Sequence, residues 1–411
     1  LRVVLDEDHT APLVAVNLWY HVGSKNERPG LTGFAHLFEH MLFSGSEHVG
    51  NNEHFRYVQS VGGVLNGTTF FDRTNYYETL PSNFLELGLW LESDRMGFLI
   101  PALTQEKLDV QINVVQEERR MRVDNVPYGD FFEQLLRRAY PPEYPYHWEV
   151  IGSMEDIASA KLDDVREFFT TWYRPDNCVL TLSGDFDPAE ARSLVGKYFG
   201  DIASGDRPAP FSMKRPDMGG EQREVIVSDV QLPRVYRFYH AAPYGSDDWI
   251  GADLMTSLLG LGKASRLERS LVYEKQIAQD VAAFTLPTEA SGMVMMLATA
   301  AEGVEAAKLE AALDEELAKL AADGPSDGEL ARVLNQAEAD LVHQLESFEQ
   351  RADLLATFET YFGDANELER FADRYRSISK DDVMRATRQC LREDERVTVT
   401  YLPEGNKGDD R

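Results

Sequence analysis

Two imidazoles and a carboxylate stand within five residues at His36, Glu39 and His40, in the run Gly33-Phe34-Ala35-His36-Leu37-Phe38-Glu39-His40-Met41-Leu42-Phe43. A helix turns by about 100° per residue, so positions i, i+3 and i+4 share a face. On such a helix His36, Glu39 and His40 point one way, and Leu37, Phe38, Met41 and Leu42 are left for a core. Imidazole nitrogens one turn apart can both approach a zinc ion at roughly 2.0–2.1 Å. The carboxylate between them is placed to take a proton from a water that such an ion has acidified. Histidine pairs at this spacing occur on many helices without a metal. The glutamate in the third place and the apolar frame separate this run from those.

A catalytic zinc site normally has three protein ligands and a water, so one ligand must come from elsewhere in the chain. Val114-Val115-Gln116-Glu117-Glu118-Arg119-Arg120 offers two carboxylates on a helix predicted over 104–122. Leu108, Ile112 and Val115 give that helix an apolar side that must pack near the motif helix. Adjacent residues diverge by about 100°, so only one of Glu117 and Glu118 can reach the metal. Periodicity does not choose between them.

The elements that must position these groups follow from pattern. Residues 1–5 and 12–20 read as strands, and a Gly/Ser/Asn/Pro stretch at 23–30 leads into the motif helix. A helix is predicted over 53–60, then a strand over 64–78 with Gly67 and Asp72 as punctuation, and a long helix over 83–99. Residues 123–155, rich in Pro, Tyr and Gly, read as ordered loop around a short helix. A helix over 162–172 then runs through a turn into the strand 179–182. Residues 206–222, with Pro208, Pro210, Pro216 and Gly219-Gly220, read as a linker between domains 1–205 and 223–411.

Beyond that linker the chain starts again. Phe238-Tyr239-His240 echoes Trp19-Tyr20-His21, and Asp381-Asp382-Val383 with the following strand echoes Asp163-Asp164-Val165 with its own. The two offsets nearly agree, which points to a duplicated α+β domain. His-x-x-Glu-His does not recur, so the chemistry belongs to the first half. Gly260-Leu261-Gly262-Lys263-Ala264-Ser265 is not a phosphate loop: Ser257 stands where that pattern needs Gly, and Ala264 where it needs Ser or Thr.

With 411 residues the chain can build two or more domains. No apolar run approaches the ~18 residues of a membrane span. Its 41 basic and 70 acidic residues give a formal charge of -29, which argues against nucleic acid and points to cationic partners. Cys178 and Cys390, the only cysteines, make neither a disulfide framework nor a cysteine metal site. The chain opens on Leu1, already in a strand. A removed upstream segment is expected, a signal peptide if the chain is exported, and the bacterial periplasm is placed ahead of the cytoplasm.

The run His36 to Ser46, followed by Asn66 to Tyr77, resembles the pitrilysin-type (M16) zinc metallopeptidases, in particular their half-length bacterial members. His-x-x-Glu-His is the inverted zinc-peptidase motif. The resemblance implies an α+β chain of two related domains, each a mostly antiparallel sheet packed with helices, and an endopeptidase with one zinc per chain. It implies His36, His40 and Glu118 as ligands, because the family pattern places the third four residues after the first aliphatic of the Val-Val pair, just before Arg. Glu39 would then be the base. Gln111 falls where some relatives carry a supporting glutamate; it and Glu117 would lie around the ligands, and Gln111 can hydrogen-bond but not act as base.

Asn66, Gly67 and Thr68 would lie on the family's edge strand beside the zinc, where a peptide adds as a further strand held by its main chain. The family's enclosed chamber implies peptides or unfolded segments as substrates, and the acidic charge points to basic ones. Relatives also carry an Arg and, seven residues later, a Tyr that reach the substrate carbonyl. Here those places fall on Val272 and Gln279, which implies a homologous partner subunit supplying the pair in a heterodimer; under a shifted alignment Arg266 or Arg269 and Tyr273 would serve instead. The competing readings are a non-catalytic assembly subunit, which this family also contains, and a dedicated presequence-processing peptidase.

Overall fold

A computed structural model of the chain describes residues 1–205, 208–209 and 213–405, so 206–207 and 210–212 of the expected linker lie outside the described residues. Strands β1 (Arg2–Glu7), β2 (Leu13–Tyr20), β3 (Val64–Thr69), β4 (Thr74–Pro81) and β5 (Cys178–Gly184) form one sheet in the order β1-β5-β2-β4-β3. Strands β6 (Gln222–Ser228), β7 (Arg234–His240), β8 (Ala278–Leu286), β9 (Met293–Ala300) and β10 (Arg396–Pro403) form a second in the order β6-β10-β7-β9-β8. Each sheet has one parallel pair, β1 with β5 and β6 with β10, and is otherwise antiparallel.

The two orders are the same order. Register repeats as well: Trp19 lies opposite Val179, and Phe238 opposite Val397, so the two sequence echoes fall on equivalent strand pairs. The fold is two related sheet-plus-helix domains, as the patterning predicts. Among the described residues no helix is long and apolar enough to cross a membrane.

Two compact units divide the chain. The first holds Leu1–Arg120, Trp148–Pro210 and Asp340–Arg370, and the second holds Met121–His147, Phe211–Ala339 and Phe371–Arg411. Each half of the chain thus sends one helix to the other half's sheet. In the first unit, the helix Phe348–Phe362 packs on β2 and β5, with Ala356 against Trp19 and Val179. In the second, the helix Phe131–Ala139 packs on β7 and β10, and Phe131 stacks on Tyr236 at 4.3 Å between ring centroids.

This arrangement explains the composition of β2. Val14, Val16, Leu18 and Tyr20 face the core that contains the motif helix, and Trp19 faces the helix Phe348–Phe362. A strand covered on both sides reads as a nearly continuous apolar run rather than an alternating one. The single strand expected over 64–78 is instead the hairpin β3-β4, closed by the Phe70 amide donating to the Arg73 carbonyl at 2.8 Å. Asp72 does mark the turn, where it is buried 3.2 Å from the Lys25 ammonium. Gly67 lies inside β3 and interrupts nothing.

Candidate metal centre

The motif forms the helix Phe34–Leu42. Its apolar side, including Leu37, Phe38, Met41 and Leu42, is buried, with the Phe38 ring 4.4 Å from that of Tyr173. Gly33 starts the helix at φ +83°, a left-handed conformation that favours glycine, and a Cβ there would lie 2.6 Å from the Ile151 carbonyl oxygen. The Glu27 carboxylate, reaching back from the preceding loop, accepts hydrogen bonds from the amides of Gly33 (3.0 Å) and Ala35 (2.7 Å) and from the Trp148 indole N–H (2.9 Å). Two amides at the helix start are thereby satisfied by an acid, which also suits the positive end of the helix dipole. Burial nevertheless pushes the Glu27 carboxyl up to about 8, against the donors that favour its ionised form.

Replacing Glu27 by alanine leaves the Gly33 and Ala35 amides without an acceptor, at about 1–3 kcal/mol each when buried, while the Trp148 indole N–H keeps the Ser24 carbonyl at 3.2 Å. We expect Glu27→Ala to lower the urea midpoint by the equivalent of at least about 2 kcal/mol and to weaken zinc binding, because the helix that presents both histidines loses its start. An unchanged midpoint with unchanged zinc affinity would show that Glu27 does not hold this helix.

The helix Gln105–Arg119 packs Leu108 and Val115 into the same core and brings Glu118, in its last turn, to the two histidines. His36 Nε2 and His40 Nε2 are 3.3 Å apart, and Glu118 Oε2 is 3.3 Å from His40 Nε2 and 3.6 Å from His36 Nε2. The three side chains are 12%, 23% and 17% exposed for His36, His40 and Glu118, enclosed yet reachable from solvent. Bonds of 2.0–2.1 Å in a tetrahedral zinc site put neighbouring donors about 3.3–3.4 Å apart. The observed triangle has those edges to within a few tenths of an ångström. Two ring nitrogens and one carboxylate oxygen are also the protein donor set of a catalytic zinc site.

Glu117, one residue round the helix, is 65% exposed and pairs with Arg120. Gln111 donates to the Ser44 hydroxyl at 3.0 Å, and that hydroxyl donates to the His40 carbonyl at 3.4 Å, so Gln111 reaches the motif helix through Ser44. Glu39 is buried and accepts a hydrogen bond from the Thr69 hydroxyl. Burial raises its carboxyl above the ordinary value, while the Thr69 hydroxyl and then His40 pull it down. Gly67 packs directly beneath: a Cβ there would lie 3.0 Å from the Phe43 ring and 3.2 Å from Glu39 Cγ. Thr68, one residue on, faces the other side of the sheet, where its hydroxyl donates to Asn75; Asn66 shares that side, and its side-chain oxygen accepts from the Gly67 amide at 3.0 Å.

Two family models match the sequence: "Insulinase (Peptidase family M16)" over residues 2–143 and "Peptidase M16 inactive domain" over 159–337. The chain belongs to the M16 peptidase family. Its His-x-x-Glu-His lies inside the first match, and the match named inactive begins after Glu118. Among M16 proteins it is similar to the zinc protease PqqE of Helicobacter pylori, 29% identical over 95% of this chain and 88% of that one. It is also similar to an uncharacterized zinc protease, YmxG, of Bacillus subtilis, 24% identical over 99% and 97%. Superposed on the crystal structure of a protease from Helicobacter pylori, it gives a TM-score of 0.92 at 28% identity, covering 98% of this chain and 96% of the other.

Two contributors escaped the reading of the sequence. Thr69 lies two residues from Gly67 and hence on the same face of β3, so strand periodicity carries a signal for it. Glu27 carries none, because only the tertiary path of its loop brings it back to the helix. In the second half, Arg266 is held by both carboxylate oxygens of Glu329 (2.7 and 2.9 Å), Arg269 pairs with Glu274 at 2.8 Å, and Tyr273 is exposed. Val272 packs against the second core, and Gln279 is exposed.

Proposed function

We propose that this chain is a zinc-dependent endopeptidase that cuts peptides or unfolded polypeptide segments, and that it acts as the catalytic subunit of a heteromeric pair. The observation that carries this reading is the triangle of His36, His40 and Glu118 with Glu39 one residue from His40 on the same helix. His36, His40 and Glu118 would hold the ion. Zinc, when bound there, supplies Lewis acidity toward water and the scissile carbonyl.

Glu39 accepts the proton of the attacking water and returns it to the leaving amine. Its Thr69 hydrogen bond fixes the carboxylate one helical position from His40. β3, at the edge of its sheet, turns the main-chain groups not used by β4 toward an extended peptide, which would take the place of the Asn66 side-chain oxygen at the Gly67 amide. The absence of a side chain at Gly67 lets the motif helix, with Glu39 and Phe43, pack directly on β3.

Val272 and Gln279 stand where relatives carry Arg and Tyr, and Arg266 is already committed to Glu329. A homologous subunit without the zinc motif but with that Arg and Tyr would supply the missing donors to the developing oxyanion. The test is hydrolysis of unstructured peptides by the zinc-loaded chain with and without such a subunit. Addition is expected to raise turnover by about 10²–10³, the usual worth of an oxyanion donor. Full turnover by the chain alone, unchanged on addition, would contradict the heteromer; zinc absent from the purified chain after incubation with the metal would instead favour a non-catalytic assembly role.

A further inference from the structure

The strand that adjoins the candidate metal centre has a second face. In an antiparallel ladder, hydrogen-bonded pairs alternate with non-bonded ones, and the hairpin closes on a bonded Phe70–Arg73 pair. Thr68 and Asn66 therefore turn their main-chain groups to β4, and Leu65, Gly67 and Thr69 turn theirs to the open edge. A peptide added along that edge alternates its side chains between the Glu39 side and the opposite side.

On the opposite side lies a cavity of about 290 Å³. It is walled by Asn17, Thr68, Asn75 and Tyr77 of the sheet and by Glu349 and Asp353 from the first turns of the helix Phe348–Phe362. Its volume sits at the lower limit of small-molecule pockets, which suits one long side chain rather than a whole ligand.

Acceptors outnumber donors on the wall, which carries two carboxylates and one cation, Arg73. Asn17 is 1% exposed, and its Oδ1 accepts no hydrogen bond, although its Nδ2 donates to Asp353 at 3.4 Å. Asp353 also accepts from Asn75 at 2.8 Å, and neither Asp353 nor Glu349 makes an ion pair among the described residues. Burial, and then the neighbouring Asp353, raise the Glu349 carboxyl above its ordinary value. The cation on the wall, Arg73, directs Nη1 to the Thr68 carbonyl (2.9 Å), the Thr68 hydroxyl and Asn75 Oδ1 (3.2 Å). A buried amide oxygen and two unpaired carboxylates call for N–H donors carrying positive charge. An apolar side chain would leave those acceptors unmet, and an acidic one would be repelled.

We propose that this cavity is a specificity subsite that receives an arginine or lysine side chain of a peptide bound along β3. The assignment rests on the peptidase reading. Glu349 and Asp353 are its specificity-determining residues, and Asn17 supplies a fixed acceptor at its floor.

The test uses the full chain, zinc-loaded, with Glu39→Gln to prevent cutting, and fluorescence anisotropy of labelled unstructured peptides. Each peptide carries one arginine or its neutral isostere citrulline, moved one residue at a time. One position is expected at which citrulline weakens binding about tenfold, the worth of a charge-assisted hydrogen bond. Glu349→Gln, whose side chain holds no ion pair, should bring the arginine-to-citrulline ratio toward one, and Asp353→Asn should do the same. Glu349→Lys should favour glutamate over arginine at that position. A ratio unaltered by all three substitutions, or no position with a preference, overturns the subsite. Cleavage of the same peptides with Glu39 intact separates the two claims. Peptides cut without arginine preference sink the subsite alone; peptides neither bound nor cut, with or without the partner subunit, sink both.

Discussion

Glu39→Gln is expected to retain zinc at the affinity of the unmodified chain and to lose peptide hydrolysis by at least ~10²–10⁴, the usual contribution of a general base. Glutamine matches the carboxylate in size and still accepts the Thr69 hydroxyl, so the motif helix and its two histidines stay in place. What it cannot do is take a proton from water. Burial raises the Glu39 carboxyl above its ordinary value, and the Thr69 hydroxyl and His40 pull it down. Zinc content by elemental analysis and turnover on an unstructured peptide, measured on one preparation, give both quantities. Loss of zinc together with turnover would assign Glu39 a ligand or folding role; retained turnover would remove it from the mechanism.

Glu118→Ala should weaken zinc binding by more than about 100-fold, beyond the 10–100-fold typical of residues that only support a ligand, while Glu117→Ala should change it little. The contrast is geometric. Glu118 Oε2 lies 3.3 Å from His40 Nε2, whereas Glu117 points to solvent and pairs with Arg120. Removing Glu117 costs one exposed ion pair, worth about 0–1 kcal/mol in stability. Competition against a chelator of known affinity measures both variants. Equal losses, or the larger loss at Glu117, would reverse the assignment.

The contrast between these two glutamates also marks how far the sequence could be read. His36, Glu39 and His40 were legible because their relation is local: three residues within five share a helix face whatever the rest of the fold does. The choice of Glu118 over Glu117 depended on which side of a second helix meets the first, and an apolar stripe of Leu108, Ile112 and Val115 sets that rotation only to within a residue. Family resemblance, not periodicity, selected Glu118. The duplicated sheet was legible through Trp19-Tyr20-His21 and Phe238-Tyr239-His240, because equivalent strands bury equivalent side chains.

Other features depend on tertiary contacts and left no local trace. The helix Phe348–Phe362 shows an apolar face in its sequence, but nothing in that face says it covers β2 and β5 rather than the sheet of its own half. Glu349 and Asp353 reach the cavity only because that helix lies on β2 and β5 with its contact extending to β4, a placement its own sequence does not state. A glycine within a strand pattern reads as punctuation, since it usually weakens a strand. The actual reason for Gly67, the closeness of Glu39 and Phe43, lies 24 or more residues upstream.

The central claim is that His36, His40 and Glu118 together bind one zinc ion. Anomalous scattering at the zinc absorption edge, from crystals of the zinc-loaded chain, tests it most directly. The account predicts one strong peak per chain, roughly 2.0–2.1 Å from the Nε2 atoms of His36 and His40 and from a carboxylate oxygen of Glu118. No peak there, or a peak bound by other residues with Glu118 turned away, would contradict it.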